Sequence, residues 1–255
     1  MREKSHETIV CEQFGPQARS YLTSAVHAQG EDLEQMVRIV GARPEARVLD
    51  LGCGGGHVAF RLAPLVEQVV AYDLSEAMLV VVREEAARRG LRNLATHQGA
   101  VETLSFPDAS FDVVASRYSA HHWHDFDAGL AEARRVLKPG GLAMFMDVVS
   151  PHSPLFDTWL QTLELLRDPS HARNYSVAEW RQATSSAGFL PGTVFRFRVR
   201  LEFAAWIKRI KTPEAHVQAI RSLQARAGAE VTTHFEIESD GSFTVDSMLL
   251  CAEAA

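Results

Sequence analysis

Between residues 47 and 149, short apolar runs alternate with stretches in which apolar residues recur every three or four positions. The runs Arg47–Leu51, Gln68–Ala71, Leu94–Gln98, Phe111–Ser116 and Leu142–Val149 predict strands. The spacing in His57–Leu65, Ser75–Arg89 and Phe126–Val136 predicts helices between them. Ser75 reads as an N-cap, Gly90 as a helix stop, and Lys138-Pro139-Gly140-Gly141 as a turn that launches the next strand. Such alternation builds βαβ units, hence an α/β fold whose doubly wound, mostly parallel sheet is covered on both faces. Upstream, Pro16–Ala28 and Glu31–Val40 predict helices. Downstream, helices are expected at Pro154–Arg167, Val177–Ala187 and Pro213–Arg226, with a strand at Val194–Phe203. Val231–Ile237 and Phe243–Cys251 read as a closing hairpin around Ser239-Asp240-Gly241.

Composition narrows the possibilities only modestly. The chain has 255 residues, 46% hydrophobic and 23% charged, with a formal net charge of −6. That suits one globular domain with helical additions, and it disfavours nucleic acid as a partner. Arg196, Arg198 and Arg200 alternate along a strand, either as an anion-binding stripe or as a solvated edge face. Three cysteines, Cys11, Cys53 and Cys251, give neither a disulfide framework nor a zinc ribbon. No signal-like or membrane-length apolar run occurs, so a cytoplasmic protein without a membrane partner is expected.

The chemistry concentrates in VLDLGCGGGHVAF, Val48 to Phe60. Gly52, Gly54, Gly55 and Gly56 follow the first strand and open a helix, so backbone there can approach a ligand closely. Asp73 ends the second strand, about 20 residues beyond the loop, where a carboxylate commonly takes both protons of a ribose diol. A nicotinamide dinucleotide would meet these conditions too. However, its G-x-G-x-x-G pattern needs glycine where His57 stands, and no Gly-Lys-Ser/Thr phosphate loop exists. Asp50, with no Lys or Arg from Val48 to Phe60, would repel a pyrophosphate and attract an amine or sulfonium. A nucleoside with a cationic end, S-adenosylmethionine, satisfies both sites.

VLDLGCGGGH, AYDLS, GAVETLSFPDASFDVV and RRVLKPGG, in that order, resemble the motifs of class I S-adenosylmethionine-dependent methyltransferases. The similarity is closest to the ubiquinone/menaquinone C-methyltransferase branch. The flanks QFGPQARSYL, SRYSAHHWHD and DPSHARNYS resemble a bacterial subgroup of the YafE type. The resemblance implies a Rossmann-like, seven-stranded sheet with an antiparallel C-terminal strand and a helical cap. It divides the chain into a helical lid (1–40), a cofactor-binding core (41–150), and cap helices with closing strands (151–255). It places Gly52 and Gly54 on the methionine part of the cofactor and Asp50 beneath the loop near the amino group. Asp73 would bind the ribose, with Leu74 and Met78 on adenine and Tyr21 closing the lid with Phe14. Where the family commonly has Asp after Gly99, this chain has Ala100, which leaves Val101 or Glu102 to meet the adenine amine.

In this fold the segment from Ser116 to Asp125 lies over the reactive methyl group. Its histidines invite a metal reading, but neighbours in sequence rarely converge on one ion, and no metal is expected. His121, the first of a pair common in the family, is the candidate for the cofactor–acceptor interface. Arg117 would hold the cofactor carboxylate or an acceptor acid, or else pair with Asp125 or Asp147. Arg117, His121 and Tyr175 are the candidate catalytic residues, the last two as general bases. Trp159, Trp180, Phe189 and Phe197 in the cap suggest a small, partly apolar methyl acceptor, with the chain acting as monomer or homodimer. The competing reading from another class is a non-catalytic binder of the cofactor or of S-adenosylhomocysteine. Its mark would be a cavity filled by the protein's own side chains.

Overall fold

A computed structural model describes residues 3–23 and 30–255. The sheet has seven strands: β1 (Arg43–Leu51), β2 (Val66–Asp73), β3 (Leu94–Gln98), β4 (Phe111–Arg117), β5 (Leu137–Val148), β6 (Phe189–Leu201) and β7 (Phe243–Ala254). Their order is β3-β2-β1-β4-β5-β7-β6, parallel from β3 to β5, with β7 antiparallel to both of its neighbours. The chain reverses direction across the sheet between β1 and β4, so the carboxyl ends of those strands frame a crevice.

Alternation along the strands feeds two cores. Leu49, Leu51, Val114, Phe145, Met248 and Leu250 pack on one face under α6 (Phe126–Val136) and α8 (Val177–Ser186). Val48, Val69, Val113, Met144 and Leu249 pack on the other, under α3 (Glu31–Val40), α4 (His57–Leu62) and α5 (Glu76–Arg89). The N-cap at Ser75 accepts the Met78 amide, and Gly90 closes α5 with a left-handed φ of 71°. A third core lies beyond the end of β6 and β7, where Leu160 and Leu163 of α7 (Pro154–Arg167) meet Trp206 of α9 (Phe203–Arg209) and Ile220 of α10 (Glu214–Ala225).

The structure corrects the expected hairpin. Residues 229–234 form α11 (Ala229–His234), and β7 pairs instead with β6, Leu201 opposite Phe243. Val231 and Phe235, read as alternating, are four apart and both buried, with the Phe235 ring 4.4 Å from that of Trp159. Lys138-Pro139-Gly140-Gly141 lies inside β5, at a register shift between the pairs Phe111–Leu137 and Val113–Leu142. Two short helices precede the core: α1 (His6–Phe14), which the apolar pattern does not reveal, and α2 (Ala18–Thr23). The rest of the helix expected over Pro16–Ala28 falls outside the described residues. On the β6 edge, Arg198 pairs with Asp246 and Glu236, and Arg200 with Glu238, so acids neutralise a solvated face.

Gly129 in α6 faces the buried Trp123 ring, which a Cβ would approach to 2.5 Å. Glycine to alanine in a helix interior normally stabilises by roughly 0.5–1 kcal/mol. Here overpacking at a cost of about 1–3 kcal/mol outweighs that gain. Gly129→Ala is therefore expected to lower the midpoint of thermal unfolding, and a raised midpoint would contradict this packing.

Candidate functional site

The site is built on strand ends. Asp50, near the end of β1, is 1% exposed, and its Oδ2 accepts the Ala59 amide in the first turn of α4 at 3.0 Å. Burial pushes its carboxyl up to about 7, the nearby Asp73 adding to the rise, while the Ala59 amide and Arg117 hold it lower. Asp73, the last residue of β2, accepts from Gly54 N through Oδ2 and from Ser75 N through Oδ1, both at 2.8 Å. Burial raises its pKa, and the two amides oppose the rise. The glycine loop is thus tied to the second strand by a carboxylate whose oxygens each keep one lone-pair direction for a ligand.

The loop glycines differ in purpose. A Cβ on Gly54 would meet no atom within 4 Å, so its backbone opens onto the cleft, and its φ is 50°. A Cβ on Gly52 would fall 1.8 Å from Ser119 Oγ, so that glycine lets the β4 loop close over it. Gly55 packs against the backbone of Tyr21 and Leu22, and His57 Nε2 donates to the Tyr21 carbonyl at 3.0 Å. The residue that departs from the dinucleotide pattern fastens α2 across the loop.

One cleft, enclosing about 1590 Å³ partly open to solvent, runs from this loop under α1 and α2 to the cap. It brings together Tyr21, Asp50, Gly52, Gly54, Asp73, Leu74, Met78, Val101, Glu102, Arg117 and His121. Met78 is 2% exposed and also packs with Ala18, Val81 and Tyr21, so core and cleft share that side chain. Glu102 is drawn toward the β4 loop: Oε1 accepts the His124 amide at 3.1 Å and pairs with His124 Nδ1 at 2.9 Å. Open glycine backbone, the buried Asp50 and the half-buried Asp73 fit an S-adenosyl group carrying cationic nitrogen and sulfur.

Arg117 meets neither Asp125 nor Asp147. Its Nε contacts Asp32 of α3 at 2.5 Å, both side chains buried, which anchors α3 to the end of β4. Glu31, Asp32 and Glu34 cluster in the first turn of α3, and α3 alone gives no sign of which one turns inward.

The three histidines diverge rather than converge. His121 Nδ1 donates to the buried Asp147 at 2.6 Å, and Asp147 Oδ2 accepts the His121 amide. His122 Nδ1 donates to the Ser170 carbonyl, and His124 turns to Glu102. Among the described residues no group of three His, Cys, Asp or Glu side chains could hold a metal ion. Burial alone would lower the His121 pKa, but the charge and hydrogen bond of Asp147, with Glu164 and Asp168 beyond, raise it above 6.5. Burial and the adjacent His121 charge push His122 down to about 4, and burial with both neighbours pushes His171 down to about 2. Within the cluster the protonated form is thus favoured at His121 and disfavoured at His122 and His171.

Tyr175 is not brought to the cleft. Its ring stacks on Phe126 with centroids 3.8 Å apart and packs against the core between α6 and α8. Trp159, Trp180, Phe189 and Phe197 are likewise absent from the lining, and Trp206 lines it instead. The cap side also supplies Glu164, Arg167, Asn174 and Arg209; Asn174 belongs to Arg173-Asn174-Tyr175, which the sequence offers either as a donor-rich patch or as a helix-entry loop, and the other three were not expected. The signal for two was present. Glu164 and Arg167 lie on the same buried stripe of α7 as Leu160 and Leu163, where charges need a reason to be.

A family model described as a methyltransferase domain matches residues 49–145. The uncharacterized protein YafE of Escherichia coli K12 is 48% identical over 204 residues, covering 80% of this chain and 99% of that protein. The 2-phytyl-1,4-naphtoquinone methyltransferase of Synechococcus elongatus is 34% identical over 180 residues, 69% of this chain and 76% of that one. The crystal structure of YcgJ from Bacillus subtilis matches with a TM-score of 0.84 at 32% identity, covering 88% of this chain and 97% of the other. The chain belongs to the class I S-adenosylmethionine-dependent methyltransferases, in the YafE-like subgroup, and S-adenosylmethionine is its cofactor.

Proposed function

We propose that this methyltransferase alkylates a small, partly apolar acceptor bound between His121 and the cap. The observation that carries the reading is the continuity of the cleft from Gly54, past His121, to Val199, Leu201, Trp206 and Val245. A binder without turnover has no use for an apolar chamber beyond the reactive end of its ligand. A cleft of this kind, enclosed by cap helices, suits a small molecule better than a nucleic acid. Residues 1–40 act as the lid, 41–150 hold the cofactor, and 151–255 shape the acceptor side.

S-adenosylmethionine supplies an electrophilic methyl carbon on a sulfonium, whose departure leaves a neutral thioether. The protein's share is alignment and a proton. Asp50 offsets the cofactor's positive end, Gly52 and Gly54 admit its methionine part, and Asp73 accepts from the ribose. Leu74, Met78 and Val101 flank adenine, with Glu102 Oε2 the acceptor beside it, and Tyr21 covers the chain from α2. Arg117 acts at a distance by fixing α3 and by easing the charge on Asp50. Holding acceptor and methyl carbon within about 3–3.5 Å supplies much of the acceleration. Asp147 holds the Nδ1–H tautomer of His121, and Nε2, without a hydrogen-bond partner among the described residues, takes the acceptor's proton. The Synechococcus relative's name points to a quinone-type acceptor, and an aromatic hydroxyl would fit the same base.

Incubating the protein with methyl-labelled cofactor and a metabolite extract tests the reading, which requires label in the low-molecular-weight fraction. Label only in protein or nucleic acid would refute it. With an acceptor in hand, His121→Ala should lower kcat by about 10²–10⁴ and leave S-adenosylhomocysteine affinity within a few-fold; unchanged turnover would exclude the base. The base form of His121 appears as pH rises through its raised pKa, so kcat/KM should climb along an acid limb above pH 6.5. Asp147→Asn removes the charge that raises that pKa, so the limb should move to lower pH.

Asp50 gives an independent pH signature. In the free protein it is half-protonated near pH 7, and a cationic ligand favours the carboxylate. The complex then binds fewer protons, so affinity for S-adenosylmethionine should rise from pH 6 to pH 8 with proton release. Calorimetry in buffers of different ionisation enthalpy measures that release, and Asp50→Asn should abolish it.

A further inference from the structure

We infer that the acceptor carries an anionic oxygen group, a carboxylate or a phosphate, held by Arg209 and Asn174 at the cap end of the cleft. The inference rests on the methyltransferase reading above and concerns what that chamber selects. Asn174 is 1% exposed and lines the cleft, yet neither Nδ2 nor Oδ1 finds a hydrogen-bond partner among the described residues. Its backbone is fixed, with Gln161 accepting its amide at 3.0 Å and donating to its carbonyl at 2.7 Å, so the side chain has little freedom to seek one elsewhere. Buried amides in native proteins are nearly always paired, and an unpaired one facing a cavity marks the place of a ligand.

Charge sets the sign of that ligand. Arg167 and Arg209 both line the chamber, with Glu164 in the same wall 3.7 Å from Arg167 and the buried Asp168 behind the lining. Arg167 is further occupied by the Trp206 carbonyl and ring and by Tyr21. Arg209 makes no ion pair among the described residues, and the like charge of Arg167 beside it is a cost that an anion would remove. Asn174 Nδ2 adds a donor for an anionic oxygen, and Oδ1 can accept from a hydroxyl or amine on the same molecule. Leu201 and Trp206 provide the apolar wall for its body. The acceptor is thus an amphipathic acid with a hydroxyl or amine.

The test uses three simple probes, benzoate, phenyl phosphate and benzyl alcohol, titrated into protein saturated with S-adenosylhomocysteine. One of the two anions should bind at least tenfold more tightly than benzyl alcohol, and the tighter of them distinguishes carboxylate from phosphate. Arg209→Gln, at a half-buried site remote from the sheet core, should cut that binding tenfold or more. Asn174→Asp, which keeps the shape and adds a negative charge, should do the same. Affinity for S-adenosylhomocysteine should stay within threefold in both, which also shows that the variants fold. Equal or absent binding of the charged and neutral probes would overturn the inference. So would a tenfold loss of S-adenosylhomocysteine affinity in Arg209→Gln, because the arginine would then serve the cofactor's own carboxylate. Failure of the unaltered protein to bind S-adenosylhomocysteine would strike instead at the cofactor reading beneath it.

Discussion

Three carboxylates at the carboxyl ends of parallel strands hold this site together. Asp73, Asp50 and Asp147 end or nearly end β2, β1 and β5, and each accepts backbone amides from the loop or helix that follows or lies beside it. The constraint is general: chain turning from a strand into a helix leaves amide donors that must be met inside the protein. A glycine loop has no side chains with which to meet them. Asp50 and Asp73 do so, and they then line the crevice where the strand order reverses, while Asp147 is buried behind His121.

The same economy explains the sign of the ligand. Asp50 and Asp73 are close enough to raise the Asp50 pKa, and burial raises both. Arg117 offsets the charge on Asp50, but its own charge is shared with Asp32. A sulfonium with an ammonium group relieves that strain, where a pyrophosphate would compound it. At the other end of the cleft Arg167 and Arg209 stand with Glu164 and the buried Asp168, so charges of both signs meet where the cap closes.

The parallel core was legible because each strand is a short apolar run and each crossover helix carries its own stop. The cofactor half was legible because it is local: a loop, the strand before it and the residue ending the next strand. The cap end of the cleft was not, because its members come from distant segments and share no spacing. Asn174 sits in an irregular stretch between helices, and Arg209 ends a helix hidden in the Val194–Phe203 strand boundary. Tyr175, adjacent to Asn174, looked equally apt. Only packing shows that its ring stacks on Phe126 while Asn174 joins the cavity wall. Val231–Ile237 misled for a related reason, since a β-branched alternation and an i, i+4 pair coincide when the run is short.

Helices α1 and α2 join the two ends of the cleft. His57 holds the Tyr21 carbonyl, Gly55 admits the backbone of α2, and His6 donates to the His122 carbonyl beside the catalytic candidate. The Tyr21 phenol reaches Arg167 on the cap helix, so one residue touches the glycine loop through its backbone and the acceptor chamber through its side chain.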